Sequence, residues 1–337
     1  MKTIYINGLG VHAYGTEDGV RLCERVIREE TEPVNSGKIS FESAVKPSKL
    51  RRCSRYTKMA VSAAAMAAAE GKIKNPQETG TILATGYGAV ESNISFADSV
   101  VKGDPALCSP ATFANTVPNS CVGQICIVQG YKGYSTMLTG GDPLEYATLL
   151  LRNQKAENII CGGVEEYNEE LKSAVMRSKI LSDTMISEAA AMLCLSVEKT
   201  ESTYCKIKGF ASASLYHNPY LYQVNKESAA RELRNIYSRI TEFGQPDLIL
   251  TQDNGTYFDE IERDALKEYF GEDIAVTAPK KKLGETLGCG YVLNTAVGAS
   301  ILRDGEQKDI HTVLATGIDM HGNYLTVLLE ESKKEIV

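Results

Sequence analysis

Little in this sequence points to a metal, a nucleic acid or a membrane. No two of its nine cysteines form a CxxC pair, and Cys23, Cys53, Cys108, Cys121, Cys126, Cys161, Cys194, Cys205 and Cys289 are scattered, so a zinc site is not expected. The four histidines, His12, His217, His311 and His321, have no spacing that would pair two of them on a metal or join one to a cysteine. Positive charge is also in short supply: the net charge is −7, the opposite of a nucleic-acid binder. No apolar run approaches the roughly 20 residues of a membrane helix. The start, Met1-Lys2-Thr3-Ile4-Tyr5-Ile6, reads as a strand with no secretory h-region behind it. Neither Gly86 with Gly88 nor Gly140-Gly141 completes a nucleotide-binding glycine motif. Low-complexity tracts and short-period repeats are missing too, which excludes a disordered chain or a solenoid.

What is present is a chain of 337 residues, 43% hydrophobic, large enough for two domains or for one fold built from two similar halves. Its free cysteines sit in apolar runs such as Ile159-Ile160-Cys161, as small buried hydrophobes do, and a reducing cytoplasm is the expected compartment. Strands and helices alternate. Strands are predicted at 3–8, 80–83, 135–139, 158–161, 206–210, 247–250, 274–276, 313–316 and 325–329. Helices are predicted over the alanine-rich 57–70 and over 119–129, 143–153, 225–242, 260–269 and 288–302. Such alternation argues for α/β layers, with a join between halves near 165–205. One basic cluster, Lys49, Arg51, Arg52, Arg55 and Lys58, is either a solvated loop and helix start or a docking patch for an acidic partner.

Several segments, taken in order, resemble the β-ketoacyl-acyl-carrier-protein synthases of the thiolase superfamily. Ile6-Asn7-Gly8-Leu9-Gly10-Val11 is similar to their first strand and turn, and Thr85-Gly86-Tyr87-Gly88 to their GTGFG. The run from Thr116 through Pro118, Asn119, Cys121 and Gln124 resembles their VPNxxxGxIA element at the subunit interface. Cys161-Gly162-Gly163-Val164-Glu165 resembles AGGxE, and Ser187-Glu188-Ala189-Ala190-Ala191 resembles GEGAA. The resemblance implies a thiolase-like five-layer αβαβα fold of two duplicated halves, here 1–200 and 201–337, normally dimeric and without a cofactor.

It also implies a Cys-His-His triad, and here the pattern breaks. Thr139-Gly140-Gly141-Asp142-Pro143 stands where TACAS is expected, so Asp142 replaces the nucleophile. Asn254 replaces the histidine of HGTGT, and Glu285, after Gly284, replaces the second histidine. Lys280 and Glu262 fall where the family's supporting lysine and glutamate are expected. The pocket-side GFGGxN loop reads Gly317-Ile318-Asp319-Met320-His321-Gly322-Asn323. A carboxylate at 142 cannot carry a transferable thioester without passing through a hydrolysable anhydride, and glutamate would repel an enolate. The pattern therefore resembles the chain length factors, silent ketosynthase homologues that pair with an active ketosynthase in fatty acid, polyketide or aryl polyene assembly and shape its acyl tunnel.

Alternatives remain open at this stage. Asp142 before Pro143 suits a helix N-cap, but Asp142 and Glu285 as an acid–base pair would give an acyl-thioester hydrolase, dehydratase or isomerase. A homodimer that binds an acyl group or a carrier protein without chemistry is a third reading. Cys121 and Cys289 are either packed thiols or replacement nucleophiles, and His321 is either a turn residue or a pocket residue.

Overall fold

The computed structural model describes residues 2–16, 22, 26, 37–103, 108–181, 184–305, 307 and 309–332; Cys23 lies outside them. Ten strands are found among these residues: β1 (Ile4–His12), β2 (Thr79–Ala84), β3 (Ser135–Leu138), β4 (Asn158–Glu165), β5 (Ala189–Ser196), β6 (Cys205–Ser214), β7 (Leu248–Leu250), β8 (Ala275–Thr277), β9 (Thr312–Ile318) and β10 (Asn323–Glu331). The helices between them are α1 (Arg55–Glu70), α2 (Val90–Lys102), α3 (Pro110–Ala114), α4 (Ser120–Gln129), α5 (Pro143–Arg152), α6 (Glu169–Met176), α7 (Lys226–Ile240), α8 (Phe258–Phe270), α9 (Lys280–Leu283) and α10 (Gly290–Asp304).

The strand order is β3-β2-β4-β5-β1-β6-β10-β9-β7-β8. Read outward from its middle, each side repeats the other: β1, β5, β4, β2, β3 and β6, β10, β9, β7, β8. The pairings repeat as well, with parallel outer strands and antiparallel inner ones on both sides. The two five-strand sets meet through a short antiparallel contact in which Ile4, Tyr5 and Ile6 face Ile207, Lys206 and Cys205.

Period-two alternation assigns each face of the strands to a layer. Along β5, Ala189, Ala191, Leu193 and Leu195 join the central core with α5 and α10, whereas Ala190, Met192 and Cys194 join an outer core under α1 and α4. Along β9, Val313 and Ala315 face the central core and Leu314 faces α7 and α8. Five layers result: α1 with α4, a sheet, α5 with α10, a sheet, and α7 with α8. A strand covered on both faces is apolar throughout, and β5 is buried at all eight positions. The alanines of α1 let helix and strand approach closely. A Cβ at Gly10 would stand 1.9 Å from the Ala63 carbonyl oxygen, and one at Gly8 would stand 2.4 Å from that of Ala67.

The predicted helices and strands are all found, with ends moved by a few residues. Added to them are α2, α3, α6, α9 and β5. No helix of the described residues is long and apolar enough to cross a membrane.

Candidate functional site

Asp142, Asn254 and Glu285, the positions at which the sequence resemblance expects a triad, lie on different elements. The turn after β3 is opened by Gly141, whose φ of 89° suits glycine, and Asp142 then caps α5. Its Oδ1 accepts the N–H groups of Leu144 at 2.8 Å and Glu145 at 3.0 Å, with Pro143 supplying the first helical residue. Its Oδ2 accepts the Tyr291 hydroxyl at 2.9 Å. Burial pushes the Asp142 carboxyl up to about 7, against the pull of these donors.

Glu285 is fully buried. Its Oε2 takes the Lys280 ammonium at 2.8 Å and the Asn254 amide at 2.7 Å, and its Oε1 takes the Leu287 N–H at 2.7 Å. Asn254 and Lys280 thus meet on one carboxylate oxygen of Glu285. Lys280 also reaches the Tyr220 hydroxyl at 3.4 Å and lies over that ring. Leu287 holds a left-handed φ of 47°, a costly conformation for leucine, and donates its N–H to Glu285 there.

Glu262 is not the partner of Lys280. It accepts the Gln252 N–H, the Thr316 hydroxyl at 3.3 Å and a short bond from the Tyr324 hydroxyl. Burial pushes its carboxyl up to about 7, with Lys280 acting on it only through its field.

Two further residues, missed in the sequence, organise the site. Asp319 accepts Gly141 N–H at 2.6 Å and the Asn323 side chain at 2.7 Å on Oδ2, and the N–H groups of His321 and Asn323 on Oδ1. Tyr291, on the first turn of α10, is buried against Gly317. The turn at 317–323 was the available signal for Asp319; an apolar helix gave none for Tyr291. Exposed His321 lays its ring over Gly140, where a Cβ would stand 2.1 Å from its Cδ2. Glu165 closes the neighbouring turn by accepting the N–H groups of Gly86, Tyr87, Gly88 and Gly288.

Neither cysteine candidate has the environment of a nucleophile. Cys121 is buried beside the Pro118 carbonyl, and burial pushes its thiol up to about 12. Cys289 is buried against Gly163 and its thiol is pushed up further by burial.

The interface-like segment is held to the site by Pro118, which packs on Gly88 and accepts the Tyr56 hydroxyl at 3.3 Å. Thr116 bonds the Phe113 carbonyl, Gln124 bonds that of Lys49, and Asn119 precedes α4 without a side-chain cap. In the basic cluster, Lys49, Arg51 and Arg52 are exposed. Arg55 is a correction to that cluster: its guanidinium pairs with the buried Glu188 carboxylate and the Ile39 carbonyl, so it is a strut inside the fold.

Solved structures share this fold at low identity. "The ishigamide ketosynthase/chain length factor" superposes with a TM-score of 0.80 at 16% identity, covering 98% of this chain and 100% of that one. AntDE:AntF, a type II PKS acyl-carrier protein in complex with its ketosynthase bound to the hexaketide, gives 0.80 at 14% over the same shares. The ketosynthase ApeO in complex with its chain length factor ApeC, from Xenorhabdus doucetiae, gives 0.75 at 14%, covering 98% of each chain. No family model and no curated protein matches the sequence. The fold is therefore the thiolase-like fold of ketosynthases and chain length factors.

Proposed function

We propose that this chain is a non-catalytic subunit of the chain length factor type. It pairs with an active β-ketoacyl synthase in the cytoplasm and completes that partner's acyl tunnel. The observation that carries this reading is an unpartnered apolar face around an open sheet edge. Among the described residues β3 ends the sheet with no neighbour on one side. Ile127, on the helix packed against β3, is 76% exposed and Tyr134 is exposed just before the strand, while Val101 at 83%, Phe113 at 58%, Val100 and Val117 are exposed along the segment from α2 to α4. Monomeric proteins seldom leave so many large apolar side chains beside an unpaired edge.

The triad positions support the same reading, because the carboxylates of Asp142 and Glu285 are taken up by internal bonds. Asp142 is a helix cap, and Glu285 neutralises Lys280. An acid–base pair needs groups free to exchange protons with substrate, and these are not. The exposed cations Lys46, Lys49, Arg51 and Arg52 stand out on an acidic chain and suit an acidic carrier protein.

Co-expression with an intact ketosynthase, followed by size-exclusion chromatography with mass measurement, tests the pairing. The expected product is a one-to-one heterodimer burying more than about 2,000 Å² in total, with homodimers when the chain is expressed alone. A monomer in both preparations would overturn the reading.

A further inference from the structure

The space beside Asp142 is filled by residues from three other parts of the chain. Tyr291 is 3% exposed; its hydroxyl ends on Asp142 Oδ2, at the former nucleophile, 2.9 Å away. Behind it, a Cβ on Gly317 would stand 2.3 Å from the Tyr291 Cβ, so the residue is seated directly on β9. Met320 closes the far side against Gly86, where a Cβ would come within 2.5 Å of its Cγ. Asp319 ties the turn at Gly141 to the turn before β10, and the His321 ring covers Gly140. The cavity left between these residues is about 10 Å³, room for one water at most.

We propose that Tyr291, bonded to Asp142 and backed by Met320, is an internal plug that excludes acyl chains from this subunit's own pocket. This rests on the pairing reading and deepens it: the chain would contribute to an acyl tunnel only through its α2–α4 face and never through a second pocket of its own. Replacing only the nucleophile would have left a competent acyl pocket on the silent subunit, able to take up acyl groups unproductively. A filled pocket removes that competition.

Octanoyl-pantetheine bearing a photoreactive diazirine at the chain end is the probe. On the isolated wild-type protein it should give no saturable labelling around Gly140-Gly141 or Met320. Tyr291→Ala should create a pocket and label there, with binding at least about tenfold tighter than wild type. Tyr291→Phe, which keeps the ring but drops the hydroxyl, should stay closed. If Tyr291→Ala does not fold, Met320→Ala opens the same space from the other side and should label the same segment. Saturable labelling of wild type at that segment would overturn the plug, and so would equal binding by wild type and a folded opening variant. Pairing with a ketosynthase is measured separately, so failure of the plug leaves pairing standing and failure of pairing leaves the plug testable.

Discussion

At the scale of single residues, Asp142 stands by itself as a helix cap, whereas Asn254 and Glu285 form one bonded unit with Lys280. Asp142 was legible because its signal is local: Asp followed by Pro is a cap and first-turn pair whatever surrounds it. The bond between Asn254 and Glu285 was not legible, since it joins residues 31 apart whose contact depends on the packing of α9. Asp142→Ala should cost about 1 kcal/mol for the lost cap and about 1 kcal/mol more for the stranded Tyr291 hydroxyl, measured by urea unfolding. A loss near zero would remove Asp142 from the scaffold. Asp142 also makes stability depend on pH. With a folded pKa raised to about 7, its proton is held more tightly in the folded state. Its contribution is complete at acid pH and disappears as pH rises through about 7. Wild type should therefore lose stability relative to Asp142→Asn between pH 5 and pH 8, while the other carboxyls cancel in the comparison. A constant difference would place the Asp142 pKa in the ordinary carboxylate range.

Glu285 carries a stronger prediction. Restoring the family's imidazole there, Glu285→His, leaves Lys280 buried without its carboxylate, and Glu285→Gln does the same. Breaking a buried pair from one side costs roughly 3–5 kcal/mol. Denaturant unfolding of both variants should show losses of that order, and a loss under about 1 kcal/mol would mean that Tyr220 alone can accommodate the ammonium.

At the scale of elements, legibility followed burial. The amphipathic α7 announced itself through Ala229, Leu233, Ile236, Tyr237 and Ile240, all buried on one face. β5 had no such signal: Ala189-Ala190-Ala191-Met192 packs helices on both faces, so its apolar run has no period and its alanines favour helix. The element whose pattern pointed outward is α4. Among the described residues nothing covers its Ile127, nor Val101 of α2. Ile127→Asp combined with Val101→Asp should leave the fold intact, as read by circular dichroism, and abolish pairing with a ketosynthase in size-exclusion chromatography. Undiminished pairing would place the interface elsewhere.

At the scale of the whole molecule, the sequence motifs led to the fold because their order along the chain matched, although each was weak alone. The mirrored strand order supports a division into 1–200 and 201–337, which we propose as the two halves. On that division the turn at Gly140-Gly141-Asp142 falls in the first half, and Asn254, Glu285, Lys280 and Tyr291 fall in the second. The Asp142–Tyr291 bond, spanning 149 residues, therefore ties the halves together and could not be read from either half's pattern.

An assembled pair of this kind should have one active site where a ketosynthase homodimer has two. A thiol accepts an acyl group as its thiolate. Burial pushes the Cys121 thiol up to about 12 and the Cys289 thiol further, so both are held as thiols at neutral pH. Both thiols do stand at helix starts, Cys121 in the first turn of α4 and Cys289 as the residue before α10, but burial outweighs what those N–H groups and dipoles contribute. Incubating the heterodimer with an acyl carrier protein and reading intact masses should therefore show a single acyl group per pair, carried by the ketosynthase, with this chain at its unmodified mass. Replacing Cys121 and Cys289 together by alanine should leave the acyl count and the condensation rate unchanged. Two acyl groups per pair, or an adduct mapped by peptide analysis to either cysteine, would show that the chain keeps a nucleophile and would end the non-catalytic reading while leaving the fold and its interface as described.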